Sequence, residues 1–321
     1  MAASYRQGTV KACGPDFNPE SAAQAFHKAM KGLGTDEKAI INLLSGHCNS
    51  ERQEINAISK SCFGANLEDK LKGELGGHFL ELCLCLLMPS CQFDAWCLHQ
   101  AMKGIGTKEI RLIEVISTKS NSEMATIKTE YKNIYGRDLE GDIVSETSGH
   151  LRNILVSLIQ GRRDEECYLN SDVMKQDVKD LFEAGENMLG TDESVFNKVL
   201  ALRSVGHLQE VFKIYRQQHQ QDLEAVIASE TSGDTKEAYL AIVKYIKDPA
   251  AYFAECLHKS MAGIGTRDER LIQIVVDRSE LDLKDIAEKY MEMYKKALPT
   301  AIADDTSGDY RKLLVRLTNL N

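Results

Sequence analysis

The chain has 321 residues, of which 43% are hydrophobic and 27% charged, as in a globular protein rather than a disordered one. Its formal net charge is −9 and no basic cluster offsets it, so direct binding to the phosphates of nucleic acid or anionic lipid is not expected. Only 5 prolines and 7% aromatic residues favour helices over a β-sandwich. We therefore predict an all-α fold.

Neither a membrane span nor a secretory signal is predicted. The longest apolar stretch, from Phe79 to Met88, contains Glu81 and falls well short of the ~20 residues that a spanning helix needs. The first residues contain no apolar core of the length that a secretory signal requires. We therefore expect a cytoplasmic protein.

The nine cysteines are scattered, and no Cys-x-x-Cys pair occurs among them. Neither a disulfide framework nor a zinc site is indicated by this pattern. Four cysteines lie close together and are interpreted as small buried residues of a core: Cys83, Cys85, Cys91 and Cys97.

Apolar residues in the first 90 positions recur with helical spacing and predict five short helices. Pro19 stands where the first turn of a helix tolerates proline. Thr35 is predicted to be the N-cap of the second helix, and Pro89 to end the fifth.

One motif recurs along the chain, as KGLGTD, KGIGTK, MLGTD and AGIGTR. The glycine before each threonine is Gly34, Gly106, Gly190 or Gly265, at intervals of 72, 84 and 75 residues. The longer middle interval is explained by a polar insertion at 161–172. The predicted organisation is a head (1–16), two repeats (17–88 and 89–160), a linker (161–172) and two further repeats (173–247 and 248–321).

A second feature recurs with the first. An acidic residue follows each of those glycines 40 positions later, at Glu74, Glu146, Glu230 and Asp305. The glycine-containing loop joins the first two helices of a repeat, and the acid precedes the turn that joins the last two. If these two hairpins pack side by side, both loops emerge at the same end of the repeat.

The two features together suggest a calcium site. Glycines in a tight turn allow positive φ and direct neutral carbonyl oxygens outward, and the carboxylate adds charge. Ca²⁺ accepts about six to eight oxygens in flexible geometry, whereas Mg²⁺ requires a strict octahedron. The loops contain no His or Cys, which argues against zinc or copper. A simple hairpin turn with an N-cap is the alternative, but it would not require a carboxylate at a constant offset.

From Phe17 to Asn321 the chain resembles the annexin family. The resemblance also includes GRRDE in the linker, RSELDL at 278–283 and DTSGDYRKLL at 305–314. It implies a slightly curved disc of four repeats of about 70 residues, with five helices each and Ca²⁺ sites on the convex face. It also implies reversible, calcium-dependent binding to anionic phospholipid of the phosphatidylserine type.

The resemblance further implies which residues bind calcium. Carried over by position, the ligands are carbonyl oxygens plus one carboxylate in each repeat: Met30, Gly32 and Gly34 with Glu74; Met102, Gly104 and Gly106 with Glu146; Gly185, Met188 and Gly190 with Glu230; and Met261, Gly263 and Gly265 with Asp305.

Some residues depart from the family pattern. Leu189 stands in the third loop where annexins often have Trp, and is predicted to contact the membrane. Lys108 and Arg267 replace the usual acid after the loop threonine, a change that backbone ligands should tolerate. His47 stands at the end of the second helix where annexins commonly have Arg, which puts the helix-end contacts of that Arg in question. Gln273 replaces an Arg of the family's polar channel, which weakens the case for ion conduction.

The predicted function is calcium-dependent membrane binding, in a role such as membrane organisation, trafficking or repair. Four Ca²⁺ ions would change the net charge from −9 to −1, so the cation would also neutralise the chain. We expect a monomer in solution that becomes peripheral on membranes when calcium rises; protein partners of the head or concave face, and assembly on membranes, are left undecided.

Two other classes of function, a protein scaffold and an enzyme, compete with this prediction. The alternative is a helical-repeat scaffold that binds proteins on its concave face. An enzyme is not expected, since no Gly-x-Ser-x-Gly, P-loop or His-Glu-x-x-His motif occurs.

Overall fold

The computed structural model describes residues 6–32, 34–104, 106–166, 168–185, 192–263 and 265–319. These residues form twenty α-helices and one short 3-10 helix, Gly14–Asp16, and they contain no β-strand. The all-α prediction is thus confirmed. Throughout the described ranges, no helix is both long and apolar enough to cross a membrane.

The helices form four groups of five, as the sequence predicts. The first group is α1 (Pro19–Ala29), α2 (Glu37–Gly46), α3 (Asn49–Phe63), α4 (Leu67–Glu74) and α5 (Gly77–Leu87). The second is α6 (Ser90–Met102), α7 (Glu109–Ile116), α8 (Asn121–Tyr135), α9 (Leu139–Glu146) and α10 (Gly149–Ile159). The third is α11 (Ser171–Gly185), α12 (Glu193–Leu202), α13 (Val205–His219), α14 (Leu223–Glu230) and α15 (Gly233–Lys247). The fourth is α16 (Pro249–Met261), α17 (Asp268–Arg278), α18 (Leu283–Tyr294), α19 (Leu298–Asp305) and α20 (Gly308–Thr318).

The chain divides into two compact units. The first comprises Met1–Phe93 together with Phe253–Asn321, and so contains the first and fourth helix groups. The second comprises Asp94–Tyr252 and contains the second and third groups. Each unit is therefore built from a pair of five-helix repeats.

Both units pair their repeats in the same way. In the first unit, the fifth helix of each repeat packs against the second helix of the other, as α5 on α17 and α20 on α2. In the second unit, α10 packs on α12 and α15 on α7. The two fifth helices also contact each other in each unit, as α5 with α20 and α10 with α15. The corresponding helices, the second and fifth of each repeat, therefore hold the paired repeats together in both units.

The composition of α5 follows from this position. Because it faces both its own repeat and the paired one, its buried residues lie on more than one side, including Phe79, Cys85 and Leu87. Full burial of a leucine stabilises the fold by about 1.5 to 3 kcal/mol.

The predicted cysteine cluster is mostly buried. Cys83, Cys85 and Cys97 lie in the core, whereas Cys91 is only half-buried. None of the cysteines that the structure describes is joined in a disulfide.

The segment before α1 lies along the fourth repeat of the same unit. The backbone amides of Thr9 and Val10 both donate to the carbonyl oxygen of Ser279, at 2.8 and 3.0 Å. The Thr9 hydroxyl donates to the carbonyl oxygen of Leu317 at 2.5 Å. Sequence-distant backbone contacts therefore anchor this part of the head.

Candidate metal centre

The paired glycines of three of the four predicted loops have the same backbone conformation. In the first loop, Gly32 and Gly34 have φ values of 108° and 90°. The matching glycines are nearly identical, at 104° and 85° for Gly104 and Gly106, and at 103° and 81° for Gly263 and Gly265. An L side chain would be strained at these angles, which is why glycine recurs here. All six glycines are exposed.

A backbone hydrogen bond closes each loop. The amides of Asp36, Lys108 and Arg267 donate to carbonyl oxygens seven residues earlier, each at 2.8 Å. In the third repeat, Asp192 donates to the carbonyl oxygen of Ala184 at 3.0 Å, and this closure spans eight residues. The third loop is therefore one residue longer than the others.

Much of the third loop lies outside the described residues. The predicted ligands Met188 and Gly190 and the predicted membrane contact Leu189 fall in that gap. Gly185, also predicted as a ligand, is buried as the last residue of α11. A Cβ atom there would lie 2.9 Å from Cγ1 of Val226, so close packing accounts for this glycine. A role for its carbonyl oxygen stays a prediction.

The repeated acid and the repeated loop are in direct contact in three repeats. The Thr35 hydroxyl donates to a carboxylate oxygen of Glu74 at 2.7 Å. The Thr266 hydroxyl donates to a carboxylate oxygen of Asp305 at 2.6 Å. In the second repeat, Thr107 contacts both the carboxylate of Glu146, at 3.2 Å, and its backbone carbonyl, at 3.0 Å. A separation of 39 residues in sequence thus becomes one hydrogen bond.

This contact corrects the prediction for Thr35. The N-cap of α2 is Asp36, whose side chain accepts a hydrogen bond from the amide of Ala39 at 2.9 Å. The Thr35 hydroxyl is used instead to reach Glu74. A threonine just before a helix is typical of a local cap, so the sequence does not reveal this long-range partner.

Two of the acids have an additional support. In the second repeat, Nε of Arg152 donates to the carbonyl oxygen of Thr147, the residue after Glu146, at 2.8 Å. In the fourth, Nε of Arg311 donates to the carbonyl oxygen of Thr306, next to Asp305, at 2.5 Å. The first repeat has Leu80 at the matching position. The acid-bearing turns of the second and fourth repeats are therefore more firmly held than that of the first.

The residues present fit a calcium ion. The side chains of Glu74, Glu146 and Glu230 are exposed and that of Asp305 is half-buried, so each carboxylate can be reached from solvent. A carboxylate has about four lone-pair sites, and one hydrogen bond from threonine leaves the others for a cation. Nothing lies within 4 Å of a Cβ built on the loop glycines, so the space beside these loops is free. Hard oxygens of this kind suit Ca²⁺.

The departures at Lys108 and Arg267 leave the loops unchanged but remove two caps. The residues after the loop threonine have closely similar backbone angles in all four repeats. The side chains of Asp36 and Asp192 cap the following helix, whereas those of Lys108 and Arg267 make no capping hydrogen bond. The backbone at this one position is thus the same with either type of side chain, and the tolerance of the backbone ligands stays a prediction.

Comparison with known proteins identifies the class. A family model described as Annexin matches the chain four times, over residues 21–86, 93–158, 176–242 and 252–317. Annexin A13 of Mus musculus is 47% identical over 301 residues, which cover 94% of this chain and 95% of that protein. The chain therefore belongs to the annexin family.

Solved structures agree with this assignment. The structure of annexin III has a TM-score of 0.94 and 42% identity, covering 98% of this chain and 97% of its own. The structure of calcium-bound annexin (Sm)1 has a TM-score of 0.87 and 34% identity, covering 98% of this chain and 93% of its own. The predicted fold of four five-helix annexin repeats is confirmed.

Proposed function

We propose that this annexin binds anionic phospholipid membranes reversibly, and that it does so when calcium occupies the loop-and-acid sites of its four repeats. The observation that carries the proposal is the hydrogen bond from loop threonine to acid, which recurs in three repeats at Thr35, Thr107 and Thr266. A turn with only a local role would not require this pairing. Membership in the annexin family, together with the fold, supports calcium-dependent phospholipid binding in general.

Each part of a site has a separate task in this proposal. The carbonyl oxygens of residues such as Gly32 and Gly34 supply neutral ligands, held in place by the loop closure. The acid supplies the formal charge, and the threonine fixes the direction of its carboxylate. Ca²⁺ bound there would supply positive charge and coordination positions for the phosphate oxygens of a lipid.

Charge explains why binding would depend on the cation. The chain carries −9 and would be repelled by an anionic surface, whereas four bound Ca²⁺ ions would reduce this to −1. Release of the ions would restore the repulsion. Membrane binding would therefore be reversed when calcium is removed, because the net charge returns to −9.

In the third repeat we propose that the carbonyl oxygens of Gly185, Met188 and Gly190 bind calcium together with the carboxylate of Glu230. We also propose that Leu189 enters the headgroup region of the membrane. The backbone hydrogen bond that closes this loop spans eight residues, one more than in each of the other three repeats. An apolar side chain in this position would add burial in the membrane interface to the ionic attraction. The finer proposal of a role in membrane organisation, trafficking or repair rests on the same sites.

A vesicle co-sedimentation experiment tests the proposal. The chain is mixed with phosphatidylserine/phosphatidylcholine vesicles or with phosphatidylcholine vesicles alone, in a calcium titration followed by excess chelator. We expect pelleting only with anionic vesicles and calcium, and full release by chelator. Pelleting in chelator would contradict the proposal. No pelleting at any calcium concentration would favour a helical-repeat scaffold, which has no need of the four acids.

A further inference from the structure

A thiol, an imidazole and a carboxylate meet where the head contacts the first repeat. Cys13 lies just before the short 3-10 helix Gly14–Asp16, His47 follows α2, and Glu51 lies in the first turn of α3. The backbone amide of Cys13 donates to Oε1 of Glu51 at 2.7 Å, which fixes the head segment here. Across the described part of the chain, this is the one group of three such side chains whose ligand atoms could share a metal ion.

We propose that Cys13, His47 and Glu51 bind a zinc ion that fastens the head to the first repeat. Sγ of Cys13 lies 3.3 Å from Nδ1 of His47, and Nδ1 lies 3.4 Å from Oε2 of Glu51. All three ligand atoms lie within 4.8 Å of one another. Zinc bonds of about 2.3 Å to sulfur and 2.0 to 2.2 Å to nitrogen and oxygen, at tetrahedral angles, require neighbouring ligand atoms about 3.3 to 3.6 Å apart.

The donor set selects zinc over the calcium of the loop sites. Thiolate and imidazole are ligands that zinc prefers, whereas Ca²⁺ and Mg²⁺ prefer oxygen alone. One thiolate and one carboxylate would also balance the charge of a divalent ion. The thiol of Cys13 would release its proton to solvent as the zinc–sulfur bond forms.

The surroundings already orient the ligands. Glu51 accepts hydrogen bonds from the amides of Cys13 and Cys48, one on each carboxylate oxygen, which leaves lone pairs for a cation. The ring of Phe17 packs against that of His47, with centroids 5.3 Å apart. Such outer contacts are the means by which proteins fix metal ligands. Cys13 is exposed, so an ion can enter and a water molecule can complete a tetrahedron.

Comparison with the other repeats shows that this site is particular to the first. The positions that match His47 are Lys119, Arg203 and Arg278. Arg203 and Arg278 form ion pairs with Asp177 and Asp282. Only in the first repeat does a metal-binding side chain replace the cation, and there the head brings a cysteine to it. The sequence alone does not indicate this site, because Cys13 lies 34 positions before His47 and 38 before Glu51, and these intervals match no metal-binding motif.

Zinc binding by the full chain tests the proposal. Zn²⁺ is titrated calorimetrically into four proteins: wild type, Cys13→Ser, His47→Lys and Cys62→Ser. The Cys62→Ser variant is the matched control, because it alters another exposed thiol. A phosphine reductant is present, and saturating Ca²⁺ fills the loop sites. We expect one zinc ion per chain, bound at least tenfold more weakly by Cys13→Ser and His47→Lys and equally by Cys62→Ser. Equal affinity in all four proteins would overturn the proposal.

A second measurement needs no variant. Alkylation of wild-type Cys13 and Cys62 is followed by mass spectrometry with and without Zn²⁺. Zinc should slow the modification of Cys13 and leave that of Cys62 unchanged. Equal rates at Cys13 with and without zinc would also overturn the proposal.

Discussion

The hydroxyl of Thr266 donates to both the carboxylate and the backbone carbonyl of Asp305, at 2.6 and 2.8 Å. Thr107 makes the same pair of contacts with Glu146, whereas Thr35 reaches Glu74 through its carboxylate alone. The threonine is thus a positioning residue that joins the loop to its acid. Its removal should weaken the site without altering the ligands themselves.

The first prediction concerns the loss of the threonine hydroxyl at the fourth site alone. In a background in which Glu74, Glu146 and Glu230 are changed to Gln, Thr266→Val should weaken calcium binding about fivefold, since a hydrogen bond to a partly exposed carboxylate contributes about 1 kcal/mol. Calorimetric titration with Ca²⁺ gives the affinity. Thr266→Ser, which keeps the hydroxyl, is the control and should bind almost as the parent does. Equal affinity in the Val and Ser variants would exclude a positioning role.

The second prediction concerns the missing cap of α7. Lys108 has nearly the same backbone angles as the capping Asp36, so Lys108→Asp should cap α7 and stabilise the second unit by about 1 kcal/mol. This corresponds to a rise in Tm of about 2 to 4 °C. Thermal unfolding in chelator measures it. Lys108→Ala removes the positive charge without adding an acceptor, and an equal rise in that variant would contradict the capping explanation.

The sequence predicts part of the candidate site, as particular residues show. The constant offset between Gly34 and Glu74 predicts that loop and acid meet, because two hairpins of equal length return the chain to the same end of a repeat. The offset does not say which atoms touch, so the sequence pattern alone favours a local capping role for Thr35. Likewise, Cys13 and His47 are brought together by the path of the head, which has no repeat to reveal it.

The third prediction is a pH dependence with an unusual sign for a carboxylate. Burial raises the pKa of Glu280, and it outweighs the opposing effects of the Arg52 guanidinium and of the hydrogen bond from the Asn49 amide. A carboxyl whose pKa is raised on folding stabilises the fold at low pH and loses that contribution as pH rises through its folded pKa. The free energy of unfolding of wild type, relative to Glu280→Gln, should therefore increase from pH 7 to about 4.5.

Urea unfolding of both proteins across that pH range, in chelator, supplies the comparison. The Gln variant keeps an oxygen that can accept from Asn49 but cannot ionise, so it isolates the titration. A difference that is constant with pH, or that falls as pH is lowered, would contradict the assignment.

The fourth prediction places Leu189 in the membrane interface. Trp96 is the only tryptophan of the chain, so Trp96→Phe gives a silent background in which Leu189→Trp is the sole reporter. Its emission should shift to the blue when anionic vesicles and calcium are both present. Calcium without vesicles is the control and should leave the emission unchanged. Intact vesicle binding with no shift would place this residue outside the interface.

The central claim is that the four acids are the calcium ligands through which the chain binds membranes. The variant that combines Glu74→Gln, Glu146→Gln, Glu230→Gln and Asp305→Asn tests it most directly. A control with the same change in charge neutralises four exposed acids that are not among the predicted ligands: Glu54, Glu165, Asp172 and Glu292.

The decisive measurement is calcium-dependent co-sedimentation of both variants with phosphatidylserine vesicles, with circular dichroism to follow helical content. We predict that the site variant stays helical and no longer pellets at calcium concentrations that saturate wild type, whereas the control pellets with calcium as wild type does. A folded site variant that still pellets in a calcium-dependent manner would contradict the claim.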